Sequence, residues 1–133
     1  MVAFAMDIAI RSNEDWIDSV ALWLTDTGGG QSDDPFPIDE TWVITQHLRV
    51  PNEALIPAWI NSNANGRLMI VNSYVSTGGE VAETRIQWNV TREDVQYLPD
   101  GVYFHDVKLT DPDGGEVVLF AGTVTVTRGT TRP

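Results

Sequence analysis

At 133 residues, with 19 acidic and 8 basic side chains, a net charge of −11 and no cysteine, the chain is sized for one domain that buries roughly two-thirds of its unfolded surface. The missing thiols remove disulfides, thiolate catalysis and cysteine-based zinc sites together, and the negative charge repels nucleic acid phosphates and anionic lipid surfaces over a Debye length of about 8 Å. The opening apolar stretch ends at Asp7 and lacks a basic flank, which excludes a signal peptide, and no run approaches the ~18 apolar residues of a membrane span; the expectation is a soluble protein made in the cytoplasm, with no nucleic acid and no membrane as partner.

In chain order, Met6 to Arg11 alternates, with Met6, Ile8 and Ile10 on one face, and predicts a first strand. Ser12 to Asp15 supplies turn chemistry through short polar side chains. Trp16 to Thr25 follows as a strand with Trp16, Val20, Leu22 and Leu24 on one face and Ile17, Ala21 and Trp23 on the other. Asp26 to Pro37 carries three adjacent Gly and two Pro, a composition that predicts a long loop without a regular element. Thr41 to Val50 places Trp42, Ile44, Leu48 and Val50 inward, and Pro51 ends that strand by removing a ladder donor.

Ala54 to Ile60 suits either a short strand or one helical turn, and the Asn65-Gly66 pair after it, which tolerates positive φ, favours a strand leading into a hairpin loop. Arg67 to Val75 predicts a strand with Leu68, Ile70 and Tyr74 on one face, and Val81 to Val90 one with Ala82, Ile86, Trp88 and Val90 inward. Thr91 before Arg92, Glu93 and Asp94 reads as an N-cap with acids in the first turn, so one helical turn is expected over Glu93 to Tyr97. Leu98, Pro99 and Gly101 leading to Tyr103 have the form of a tyrosine corner, in which a buried ring sends its hydroxyl back to upstream backbone. The next strand turns Tyr103, His105, Val107 and Leu109 inward, and the last Val118, Phe120, Val124 and Val126.

The pattern predicts an all-β, Ig-like antiparallel β-sandwich of seven to eight strands with one short helical turn before the corner. It forms a single domain over residues 1–127, followed by a mobile tail over 128–133 that has no apolar anchor.

The same residues carry a family resemblance. Ile10 to Trp16, Pro37-Ile38-Asp39 leading to His47-Leu48-Arg49, Asn65 to Leu68, Leu98 to Tyr103 with His105-Asp106-Val107, and the close at Gly122 to Val126 with Thr131-Arg132 together resemble small tailed-phage structural proteins related to the N-terminal Ig-like domain of the phage baseplate upper protein. The likeness spans nearly the whole chain. It implies a module of the virion that docks onto other virion structural proteins in the tail, baseplate or fibre region. The Gly28 to Phe36 insertion departs from that pattern, and the chain lacks the long C-terminal extension with which a baseplate upper protein reaches its receptor-binding partner.

Tests for chemistry point away from an enzyme. Asp111, Asp113 and Glu116 around Gly114-Gly115 could hold a hard cation, but they suit a turn between strands better; Asp26, Asp33, Asp34, Asp39 and Glu40 read as solvated loop carboxylates. His47 and His105 each lie in a strand without a second His or a nucleophile at useful spacing. No Ser sits in a nucleophile elbow, and Gly28-Gly29-Gly30 lacks the Lys-Ser/Thr of a phosphate loop. No catalytic residue, metal or cofactor is expected.

Five Trp, at 16, 23, 42, 59 and 88, are more than the inner faces of a sandwich conceal. Trp23 is the candidate for an outward, partner-binding position, since Val20, Leu22 and Leu24 claim the inner side of its strand; Arg128, Thr131 and Arg132 in the tail are further interface candidates. The expected function is a non-enzymatic virion protein that forms a homo-oligomer. A capsid decoration protein and a carbohydrate-binding module, which needs two coplanar exposed rings, are the alternatives.

Overall fold

The computed structural model describes residues 4–25, 31–35, 38–39, 41–51, 58–74 and 81–128, except the side chains of 4, 23–25, 31–35, 73–74 and 81–82. The expected inward placements of Leu24, Tyr74 and Ala82, and the whole of Val75, lie outside the described residues. Within them the chain is all-β, with ten strands and one short helix: β1 (Phe4–Ala5), β2 (Ile8–Arg11), β3 (Trp16–Thr25), β4 (Gln31–Pro35), β5 (Val43–Arg49), β6 (Trp59–Ser62), β7 (Leu68–Tyr74), β8 (Val81–Val90), α1 (Arg92–Val95), β9 (Gly101–Thr110) and β10 (Glu116–Thr127).

The strands form two sheets. The larger has six, in the order β1-β10-β9-β5-β6 with β2 also on β10, and the smaller has four, in the order β4-β3-β8-β7. Neighbours run antiparallel except at the N-terminus, where β1 and β2 pair parallel with β10 in one continuous register, from Phe4↔Phe120 to Thr127↔Arg11. The inward residues of both sheets form one core, with Ile44, Leu48, Val107, Leu109 and Val124 from the larger and Leu68, Ile86, Trp88 and Val90 from the smaller nearly inaccessible to water. This is a sandwich-like arrangement, each strand supplying every second side chain to the shared interior.

Six sequence expectations need correction. The described residues form ten strands rather than seven to eight, and Val50, expected inward, is exposed because β5 ends at Arg49 and the alternation stops there. Residues 26–37 hold a regular element after all: β4 pairs antiparallel with β3, Trp23 opposite Pro35 and Thr25 opposite Gln31. An edge strand tolerates acids and a terminal proline because one side of its backbone needs no partner. In β10 a bulge between Val118 and Phe120 shifts the register, so Val118 turns outward, and the consecutive Leu119 and Phe120 are both buried; alternation fails there because one extra residue enters the strand.

The helix begins one residue earlier than expected and ends at Val95. Thr91 occupies the N-cap position without a side-chain cap bond, while the first helical N–H, that of Arg92, donates to Asp15 Oδ1 at 2.7 Å. The strand expected over 54–60 is observed at Trp59–Ser62 and runs on through Asn61 and Ser62, both buried; residues 52–57 lie outside the described residues.

Candidate contact face on the larger sheet

Alternation along β5 and β9 sends Val43, Thr45, His47 and Arg49, and Val102, Phe104, Asp106, Lys108 and Thr110, to the outer side of the larger sheet. Strand pairing lays them out in rows: Arg49 beside Phe104 and Thr123, His47 beside Asp106 and Ala121, Thr45 beside Lys108 and Val118, Val43 beside Thr110 and Glu116. Ile60 of β6 extends the His47 row, and Thr125 pairs with Val102.

Apolar exposure concentrates on this face. Phe104 is 55% and Val102 51% accessible, and Val43, Ile60 and Val118 are exposed as well. The outer side of the smaller sheet also exposes Ile17 and Met69, but Arg85 there is tied to Glu83 and to Ser19 Oγ, and Gln87 and Asn89 lie in the same rows.

The charges on the larger face cancel. Arg49 Nη1 meets Asp106 Oδ2 at 3.3 Å, and Lys108 Nζ meets Glu116 Oε2 at 3.5 Å, two cations against two anions on a chain of net −11. Such half-exposed pairs add little stability, but they leave the surface close to neutral. Arg49 Nη2 donates to His47 Nδ1 at 2.8 Å. Partial burial, then the neighbouring positive charges of Arg49 and Lys108, hold the His47 pKa below its ordinary value, with Asp106 opposing them.

Behind this face runs a buried polar chain. Gln46 Oε1 accepts from Trp88 Nε1 and from Asn61 Nδ2, each at 2.9 Å, so its amide nitrogen donates to His105 Nδ1 at 3.0 Å. The ring then donates from Nε2 to the Met6 carbonyl at 2.6 Å, and Asn61 Oδ1 accepts from Trp59 Nε1 at 2.8 Å. Gln46, Asn61 and Trp88 are almost wholly buried. This network ties the two sheets together through Trp88 and holds the link between β1 and β2 at Met6. Every polar atom in it that could be orphaned has a partner, which is the condition for burying one without large cost. It consumes the hydrogen-bonding capacity of His105.

The corner residues sit together at the start of β9. Tyr103 is buried and donates its hydroxyl to the Pro99 carbonyl at 2.6 Å; burial, then the Asp100 charge, raises its pKa. Leu98 is buried as well, and Gly101 takes φ 147°, a conformation that favours glycine. Among the interface candidates, the backbone of Trp23 lies opposite Pro35 in the smaller sheet, while its side chain lies outside the described residues. Arg128 is exposed after β10, and Thr131 and Arg132 lie outside the described residues. Of the other tryptophans, Trp16 and Trp88 stack inside the core with centroids 6.2 Å apart, and Trp42 and Trp59 are half-buried, Trp59 beneath the Arg67 guanidinium at 4.2 Å.

The Asp111 carboxylate is committed to its own turn, accepting the N–H of Asp113 at 2.9 Å and of Gly115 at 2.8 Å. Asp39 likewise accepts the backbone N–H of Thr41 and its hydroxyl, which hold its pKa below the usual carboxylate value. Among the described residues no group of three or more His, Asp or Glu is placed to hold a metal ion. Sequence reasoning found the corner and the inward His105 but missed the outer face, because exposed apolar residues in alternate positions look like ordinary surface until the rows of neighbouring strands are aligned. No family model matches this chain, and no curated protein matches it.

Proposed function

We infer that the chain is an Ig-like structural module of a tailed-phage virion that assembles with other virion proteins through its sheet faces and rims, without catalysis. The carrying observation is the outer face of the larger sheet, where Val43, Ile60, Val102, Phe104 and Val118 are exposed around a central set of balanced charges; apolar exposure gathered on one sheet face, with the charges there paired, suits a contact surface.

The Ig-like part of the reading is supported by strand order. β3, β8 and β7 form one layer, and β10, β9, β5 and β6 the other, as in variable-type sandwiches, with the N-terminal strand parallel to the last one and a tyrosine hydroxyl turned back to backbone at the start of β9. The phage part rests on the motif resemblance along the sequence.

Immunogold labelling of tailed particles, produced from a genome that encodes the chain, tests the function. Label at the tail, baseplate or fibre attachment supports it. Label over the head gives the decoration role instead, and particles that exclude the chain overturn the virion reading.

A further inference from the structure

The face described above has a charge pattern that selects its own occupant. A chain of net −11 repels any copy of itself over most of its surface. On the outer side of the larger sheet, however, Arg49 and Lys108 offset Asp106 and Glu116, and apolar side chains surround them. Asp106 and Lys108 are successive outward residues of β9, each partly exposed, so an anion and a cation stand one above the other at the centre of the face.

We propose that this face binds a second copy of the chain about a two-fold axis that lies in the contact plane, crosses β9 at right angles and passes between Asp106 and Lys108. The proposal deepens the contact-module reading of the same face and rests on it. Such an axis brings Asp106 opposite the partner's Lys108 and Lys108 opposite the partner's Asp106, forming two ion pairs by symmetry. It sets Ala121 against the partner's Val118, and Phe104 against the partner's Thr110. An axis along β9 instead sets Asp106 against its own equivalent and Lys108 against its own, which like-charge repulsion forbids. Isologous contacts of this kind close at two copies and need only one self-complementary patch.

The register makes a sharp test. Asp106→Lys alone places two cations of each copy against two of the other, and Lys108→Asp does the same with anions; sedimentation over a dilution series should show each dimer weakened about a hundredfold. Mixed one to one, the two variants restore opposite charges at both contacts, and the dimer should return to near wild-type affinity. Near-ultraviolet circular dichroism of the core tryptophans checks that each variant is folded. Phe104→Ser, at a position outside the core, provides an independent lever and should weaken the dimer about tenfold.

A wild-type chain that stays monomeric at every concentration overturns the proposal, as does a dimer indifferent to all three variants or a mixture of folded charge variants that stays monomeric. A monomer whose face becomes protected only on the particle also overturns it and gives the face to a different virion protein. Particle labelling reads the function separately: labelled particles with a monomeric chain remove the dimer alone, and a dimer absent from particles removes the virion role alone.

Discussion

Gly122 shows how one residue governs the join between the chain's two ends. A Cβ built there falls against the Met6 carbonyl and within 2.7 Å of Asp7 Oδ1. Asp7 in turn accepts the N–H of Thr123 at 3.0 Å and its hydroxyl at 3.1 Å, and Met6 N–H donates to the Ala121 carbonyl. Gly122→Ala should therefore cost about 1–3 kcal/mol, the usual range for overpacking, and hydrogen exchange should show the loss concentrated over residues 4–11. The buried network beside it was half legible. His105 falls in the inward register of its strand, but Gln46 occupies a place where the pattern from Ile44 to Leu48 calls for an apolar side chain, and its role depends on Asn61, His105 and Trp88, 15, 59 and 42 residues away. Only the folded register reveals that pairing.

His47 sets a second residue-scale expectation. Its folded pKa lies below the ordinary 6.5, so between those values the unfolded chain binds a proton that the folded chain does not. Its contribution is fully present above about pH 6.5 and is lost as pH falls through the lowered folded value. Urea unfolding midpoints over that window should fall less steeply for His47→Gln than for the wild type.

Among elements, β10 separates what pattern reading reaches from what it does not. From Gly122 to Val126 the alternation holds and the inward Val124 and Val126 are plain in the sequence. Between Val118 and Phe120 it breaks, because a bulge leaves no compositional mark when the extra residue is itself apolar. The same limit explains β4, whose pairing with β3 is a backbone matter that Asp, Ser and Pro do not announce. The helix start is a related case: Thr91 has the right chemistry and position but makes no side-chain cap bond, and the carboxylate that accepts at the first helical N–H, that of Arg92, belongs to Asp15, 77 residues away. The bulge makes a prediction opposite to simple alternation. Leu119→Ala should cost about 2–5 kcal/mol, as for a buried leucine, whereas Val118→Ala should stay within about 0.5 kcal/mol, as for a surface change; chemical denaturation of the two variants measures the contrast.

At the scale of the whole molecule, self-association sets two electrostatic effects of opposite sign against each other. Two chains of −11 repel at long range, and salt screens that repulsion because most of the charge is exposed and separated by more than the Debye length, about 10 Å at 0.1 M ionic strength. The facing Asp106 and Lys108 pairs attract at short range and, once covered by Phe104, Val118 and their neighbours, are screened much less. The net effect should therefore be a dimer that tightens as salt rises from about 0.01 to 0.1 M, where the Debye length falls from about 30 to 10 Å, and then levels off. Sedimentation at several ionic strengths gives the slope. A dimer that weakens steadily over that range would mean that exposed ion pairs, rather than the apolar face, hold it together, and the assignment of Phe104 as its anchor would fail.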